Sequence, residues 1–330
     1  MAFTFNLNGT STEPKYQQLV DAVVDAIAQN NLHIDDPLPS VNQVCEQEKL
    51  SRDTVFKAYS LLKKQGVVQS VPNKGYFVAT TTRKVFLLLD TLKAYKEVLY
   101  EAFIKSIPDN VLVDVHFHHY NKAVFNKLVE GSLGKYSKFI IMPFEEKGIE
   151  KTLKVLPQDK LLLIDWKIPS YPHKNIVFQD FGNGLFSSLE QAIPILQNYK
   201  KFNFLFPKYT YHPKEAVVYF EKFCQKHQLD YQIITDSKSF DIQPNEAYLS
   251  VSDRLLGRFL HQCKEKQLEL GVDIGIISYN ETPMKQFINK GISVISTDFE
   301  LLGKKAAEFV TTDQELYYNV PTTLTLRASI

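Results

Sequence analysis

"LSRDTVFKAYSLLKKQG", residues 50–66, opens with a serine suited to cap a helix and closes on a glycine. Val55, Ala58, Tyr59 and Leu62 recur at helical spacing and form one apolar stripe, and Gly66 suits a left-handed carboxyl cap. The first turn is the informative part. Arg52, Asp53 and Thr54 are polar where a helix built only for packing would begin its stripe. Just upstream, Ser40 and Gln43 form an S-x-x-Q capping box, which predicts a short helix running to about Lys49. Two capped helices joined by a tight turn make a helix-turn-helix.

Working outward, residues 13–30 place Tyr16, Leu19, Val20, Val23 and Ile27 on one helical face, with Pro14 acceptable in the first turn. Downstream, "VVQSV" and "YFVA" read as two short strands around the turn "PNKG", a wing. Residues 1–79 therefore form a winged helix-turn-helix domain, 80–84 ("TTTRK") a linker, and 85–330 a second domain.

The 330 residues are 44% hydrophobic and 23% charged, enough for a full core and two or three domains. A net charge of +1 argues against a broad polyanion-binding surface, but charge is unevenly spread. Residues 40–78 carry six basic against three acidic side chains, and residues 1–39 one lysine against five acids. Cys45, Cys224 and Cys263 are an odd number without CxxC spacing, which fits a reducing cytoplasm. No signal-peptide pattern or membrane-length apolar run occurs, so no membrane partner is expected.

A recognition helix meets the major groove with its amino-terminal residues. Arg52 can donate two hydrogen bonds to guanine, Asp53 can accept from cytosine or orient the arginine, and Thr54 can reach a phosphate or a thymine methyl. Lys57, Lys63, Lys64 and Lys74 suit phosphate. Ser51 and Asp53 would also serve as plain caps, but the succession of helix, turn, helix and wing favours DNA. "LPSVNQVCEQEKLSRDTVFKAYSLLKKQGVVQSVPNKGYFV", residues 38–78, closely resembles the winged helix-turn-helix of GntR-family transcription regulators. The resemblance implies DNA contacts at Arg52 and Thr54, beside the caps Ser40 and Ser51, and a wing tip at Lys74 and Gly75 that enters the minor groove. Asn42 and Phe56 stand where the family commonly has arginine, and Asn42 suits adenine.

From residue 85 the pattern changes to nine apolar runs separated by helical stretches: "VFLLLD", "VLVDVHF", "KFIIMPF", "KLLLIDW", "FNFLFP", "YQIITD", "EAYLSV", "DIGIISY" and "ISVIST". Such runs predict parallel strands covered on both faces, and their number suits two α/β lobes. The stretch 171–184 is expected to cross between lobes. Ligands of open α/β sheets bind beyond the carboxyl ends of the strands. Asp90, Asp165 with Trp166, Ser252 with Asp253, Asn280 with Glu281, and Asp298 lie there. Carboxylates that accept neighbouring hydroxyls, with Trp166 or Tyr95 covering a ring face, suit a sugar. Each residue taken singly also fits a helix cap.

Residues 272–310, "SVSDRLLG" at 250–257, "LLLIDW" and the ending "TLTLRASI" resemble LacI/GalR-type effector domains, which share the periplasmic sugar-binding-protein fold. This likeness implies that Asp165, Asp253, Asn280 and Thr297 line an effector pocket, with Tyr95 from the opposite loop and Lys214 at the family's arginine. A GntR-type head on a LacI-type sensor is similar to the arabinose-responsive repressors, which implies a pentose or a deoxyhexose such as fucose as effector.

The competing readings are weaker. No GxSxG, HExxH or GxxxxGK[ST] occurs, and "GNG" at 182–184 lacks the third glycine of a dinucleotide fingerprint. "HFHHY" puts His116 and His118 on one strand face, but no third metal ligand is spaced to join them. The chain is therefore expected to be a cytoplasmic homodimer, not an enzyme and without cofactor or metal, that binds double-stranded operator DNA under control of a monosaccharide. A second domain acting as an α/β enzyme or as a ligand-free dimerisation platform is the alternative.

Overall fold

Both capping serines act as expected in the computed structural model, which describes residues 3–5, 7, 11, 13–29, 31–72, 74–79, 83–108, 111–312 and 314–330. Ser40 Oγ accepts from the Gln43 amide at 3.3 Å and Gln43 Oε1 accepts from the Ser40 amide at 2.7 Å, which opens α2 (Val41–Glu48). Ser51 Oγ accepts from the Thr54 amide at 3.3 Å at the start of α3 (Arg52–Lys64). Between them Lys49 adopts a left-handed backbone, φ 55°, and turns the chain. α1 (Lys15–Ala28) precedes this pair, and the antiparallel hairpin β1 (Val68–Val71) and β2 (Gly75–Val78) follows it. Asn73, in the wing turn, lies outside the described residues.

Leu19, Val23, Val44, Val55, Tyr59, Leu62, Val68 and Val78 close one core beneath these elements. Tyr59 is fully buried and donates its hydroxyl to the Pro39 carbonyl at 2.7 Å, so its polar tip is satisfied while its ring packs. That bond fixes α3 against the turn that leads into α2.

Residues 80–82 of the expected linker lie outside the described residues, and Arg83 and Lys84 are not linker but the start of β3 (Arg83–Leu89). Extended backbone there gives Lys84 two partners. Its ammonium meets Asp114 on β4 (Val111–Phe117) at 2.7 Å, and its carbonyl accepts from Ser137 at 2.8 Å.

All nine apolar runs form strands: β3, β4, β5 (Lys138–Ile141), β6 (Leu161–Asp165), β8 (Lys201–Leu205), β9 (Tyr231–Ile234), β10 (Glu246–Ser250), β11 (Gly275–Tyr279) and β12 (Ser293–Thr297). β14 (Thr322–Thr325) lies in the expected final strand. Two more were not expected. β7 (Ile176–Gln179) occupies the stretch read as a crossing, and β13 (Tyr317–Val320) is short and mostly exposed. The strand orders are β13-β7-β6-β5-β3-β4 and β14-β12-β11-β10-β8-β9, with β14 antiparallel to β12.

The helices are α4 (Ala94–Ser106), α5 (Lys122–Ser132), α6 (Ile149–Leu153), α7 (Asn183–Leu196), α8 (Glu215–Lys226), α9 (Asp253–Lys266) and α10 (Phe299–Thr311). The chain passes from one sheet to the other after β7, after β12 and between β13 and β14: α7 packs on α8 and β14, and α10 packs on α4 and β7. The α4–α10 contact needs Gly303, because a Cβ there would lie 2.3 Å from the Leu99 carbonyl oxygen.

Two compact units result. One comprises Met1–Asp90, Ile107–Ile141 and Gly148–Leu162; the other comprises Thr91–Ser106, Met142–Lys147 and Leu163–Ile330. The head thus shares a unit with β3, β4 and β5. Among the described residues no helix is long and apolar enough to cross a membrane.

Candidate functional site

The amino end of α3 presents its polar side chains to solvent. Arg52 and Asp53 are exposed, Thr54 is half-buried, and Ser51 and Thr54 share a hydroxyl hydrogen bond of 2.8 Å. The Arg52 guanidinium stands 5.9 Å from the ring centre of Phe56, itself 41% exposed, so that ring supports the long side chain one turn on. Ser40 and Asn42 at the start of α2 are also exposed or nearly so, as are Lys74 and Gly75 on the wing. Gly75 takes φ 104°, where a side chain would be strained. Lys57 is exposed, but its ammonium lies 3.8 Å from the centre of the Tyr16 ring, a cation–π contact to α1.

The opposite face of the head is built differently. Asp21 on α1 pairs with Lys160, just before β6, at 2.9 Å, and the two side chains are only 14% and 10% exposed. Burial works to lower the Lys160 pKa, but Asp21 and Asp25 outweigh it and hold the ammonium above the ordinary lysine value. Gln17 donates to Asp21 at 2.9 Å. Gln65, the carboxyl cap of α3, donates to the Gly134 carbonyl at 2.9 Å. Gly134 has φ 72°, and a Cβ there would fall 2.1 Å from Gln17 Oε1. α1 and the end of α3 are therefore held to the loop after α5, where the left-handed backbone of Gly134 favours glycine.

At the strand ends of the second domain, some of the polar groups are covered. Asp165 at the end of β6 and Asn280 just after β11 both adopt left-handed backbone, φ 74° and 62°, a conformation uncommon outside glycine. Gln179 at the end of β7, only 3% exposed, donates to Asp165 at 2.6 Å and accepts from the Thr297 hydroxyl at 2.8 Å. Thr297 in turn lies 3.0 Å from the Thr322 hydroxyl. One hydrogen-bonded chain thus joins the segments by which the polypeptide passes between sheets.

Beside it is an aromatic cluster. The His212 and Tyr279 rings meet edge to face at 4.5 Å, Phe181 meets His212 at 5.0 Å, and Phe206 stands 6.2 Å from His212. Trp166, half-buried, packs against the same core. His212 Nε2, Tyr279 Oη and Asn280 Oδ1 are covered and have no hydrogen-bond partner. Burial holds the His212 imidazole neutral, pushing its pKa down to about 3. Burial, and then Asp165, Asp180 and Glu215, push the Tyr279 phenol up. Glu215 is itself raised, by burial first and then by Asp180.

The other expected effector residues have partners of their own. Asp90 accepts from the Tyr120 hydroxyl. Tyr95 packs on Phe299 with ring centres 4.6 Å apart. Asp253, mostly exposed, pairs at 2.9 Å with Lys285, whose ammonium also donates to the Tyr279 and Asn280 carbonyls at 3.1 and 2.6 Å. Lys214 is exposed at the amino cap of α8. Ser252 and Asp298 are helix caps, accepting from Leu255 at 3.4 Å and Leu301 at 2.8 Å. Gln179, His212, Tyr279 and Lys285 were not foreseen from the sequence; the one local signal was a glutamine ending the apolar run Ile176–Phe178.

The histidines of "HFHHY" serve packing. The His116 ring lies 5.1 Å from Phe86, and His118, fully buried, accepts from the Tyr120 amide through Nδ1 at 3.1 Å. Among the described residues no three His, Cys, Asp or Glu side chains are grouped to hold a metal.

Comparison with known proteins separates the two parts. The family model described as bacterial regulatory proteins, gntR family, matches residues 15–78. The HTH-type transcriptional regulator YhcF of Bacillus subtilis is 31% identical over 99 residues, covering 30% of this chain and 79% of that protein. The trehalose repressor from Escherichia coli superposes with a TM-score of 0.62 at 16% identity, covering 74% of this chain and 100% of that one. A lac repressor dimer bound to operator and the anti-inducer ONPF superposes with a TM-score of 0.60 at 16% identity, covering 75% and 94%. These likenesses establish the second domain as a LacI-type, periplasmic-binding-protein-like fold. The relatives are transcription regulators rather than enzymes.

Proposed function

The chain belongs to the GntR family of bacterial regulatory proteins, and from that premise we propose that it is a dimeric, cytoplasmic repressor of carbohydrate-utilisation genes. It releases its operator when a monosaccharide, a pentose or a deoxyhexose such as arabinose or fucose, occupies the second domain. The observation that carries this reading is the pairing of an exposed polar start to α3 with covered, unpartnered polar atoms at His212, Tyr279 and Asn280. The first awaits a partner outside the protein, and the second a small one inside it. The lac repressor dimer, captured with operator and anti-inducer, is a protein of the same second-domain fold that takes both kinds of partner.

In this reading Arg52, Asp53 and Asn42 read base edges, Ser40, Ser51, Thr54 and Lys57 hold the backbone, and Lys74 with Gly75 enters the minor groove. Asp165, Trp166, Asn280 and Thr297 surround the effector, with Tyr95, Lys214 and Asp253 contributed by the same unit. The docked face supplies transmission. Because Gln65 and Asp21 hold α3 and α1 to the loop after α5 and to Lys160, within the unit that carries β3, β4 and β5, a movement of that unit carries α3 with it. From Gln65 to Arg52 is about 20 Å of helix, so a small rotation moves the reading residues by ångströms. Effector lowers operator affinity by the difference in its own affinity for the two arrangements.

The test is fluorescence anisotropy on operator fragments selected from genomic DNA, repeated with each member of a monosaccharide panel. One sugar that lowers operator affinity at least tenfold is expected. Operator binding indifferent to every sugar would remove the carbohydrate part and leave a DNA-binding regulator with another effector.

A further inference from the structure

The cluster at His212 and Tyr279 carries information about the ligand's charge. A phosphate ester presents acceptor oxygens and negative charge, so its site needs free cationic donors or open helix amino termini. Here the amino termini of α7, α9 and α10 are already filled. Asp180 accepts from the Gly182 and Asn183 amides at 3.0 and 2.7 Å at the start of α7, and Ser252 and Asp298 cap α9 and α10. α8 begins without a side-chain cap, but Glu215 adds a carboxylate in its first turn.

The nearby cations are engaged. Lys285 is bonded to the Tyr279 and Asn280 carbonyls and to Asp253. Lys167 donates to the Tyr317 hydroxyl at 2.9 Å, and Arg327 pairs with Glu281. Lys214 is exposed at the amino cap of α8, whose first turn also carries the Glu215 carboxylate with Asp180 beside it. The charges acting on the Tyr279 phenol are the carboxylates of Asp165, Asp180 and Glu215.

The unpartnered atoms fit a different chemistry. The Tyr279 hydroxyl can donate or accept, the neutral His212 nitrogen can do either according to tautomer, and Asn280 Oδ1 accepts. Alcohol hydroxyls both donate and accept, so they satisfy the whole set, whereas a phosphate would set acceptor against acceptor at Asn280 Oδ1. The Phe181, His212 and Tyr279 rings supply the apolar wall for a ring's carbon face. Resting on the sugar-sensor reading above, we propose that this site selects an uncharged polyhydroxylated ring and rejects its phosphate ester, with His212 and Tyr279 as the residues that read its hydroxyls.

The experiment is isothermal titration of the full-length protein with arabinose, fucose, xylose and rhamnose and with the 1-phosphate of each, repeated on Tyr279→Phe. This variant deletes only a hydroxyl that has no partner in the free protein, so its melting temperature is expected to be equal or higher. Expected is one free sugar bound at least a hundredfold more tightly than its phosphate, with affinity falling tenfold or more in Tyr279→Phe. A phosphate ester bound as tightly as its free sugar would overturn the charge selection while leaving the sensor intact. Free-sugar binding untouched by Tyr279→Phe would overturn the assignment of the reading residues. Binding of no member in either form would overturn the sugar-sensor reading and this inference with it.

Discussion

At the amino end of α3, Arg52 and Asp53 stand in solvent and Ser51 and Thr54 bond to each other, whereas at the carboxyl end Gln65 is bonded to Gly134 beside the covered Asp21–Lys160 pair. The same short helix is left open for a partner at one end and committed to the protein at the other. Exposed polar groups with local partners cost the fold little and can be spent on recognition. A covered ion pair such as Asp21–Lys160 is costly to break, so it holds one geometry and transmits force.

The largest effect should come from breaking the committed end. Lys160→Ala leaves Asp21 covered without its counter-ion and is expected to cost about 3–5 kcal/mol in urea unfolding. A loss below about 1 kcal/mol would mean that the pair behaves as a surface bridge and that the two ends do not differ. At the open end, Arg52→Ala should weaken the correct operator by about 1–3 kcal/mol and relax one base position. Its stability should stay within about 0.5 kcal/mol of the parent. Equal weakening on unrelated DNA would assign Arg52 to phosphate rather than to a base.

Ser51→Ala tests the boundary between the two roles. Losing the cap bond to Thr54 should cost about 1 kcal/mol of stability, read as a lower melting temperature that Ser51→Asp restores. A smaller effect is one of pH. Burial, and then Asp21, push the Glu13 carboxyl up to about 7 from 4.5, with Lys160 opposing and Asp159 adding to the rise. A carboxyl whose folded pKa is raised contributes fully below its unfolded value, and that contribution is lost as pH rises through the folded value. Stability should therefore decline between about 4.5 and 7, and Glu13→Gln should flatten that slope; an unchanged slope would trace it to other groups.

The head was legible because its signals are local. Ser40 with Gln43, and Ser51 with Thr54, are three residues apart, and their bonds form whenever the helix does. The nine buried strands were legible as continuous apolar runs. β7 was hidden between Pro172 and the glycines Gly182 and Gly184, and β13, "YYNV", has an exposed face that blurs an apolar pattern. The expected effector residues show the same limit. Asp165, Asn280 and Thr297 were found at strand ends, but Gln179, which joins Asp165 to Thr297, lies 118 residues before Thr297, and His212 meets Tyr279 from a separate segment.

What the sequence alone determined is the GntR-type head, its caps and the polar start of α3, and the α/β alternation of the second domain, because each rests on spacings of two to four residues. Only the tertiary structure decided that the head is docked through Asp21, Lys160 and Gly134, that Gln179 ties Asp165 to Thr297, and that His212 and Tyr279 lie covered without partners. Those facts depend on which strand neighbours which and on how closely distant segments approach. Burial and pairing are properties of that approach, and no local spacing encodes them.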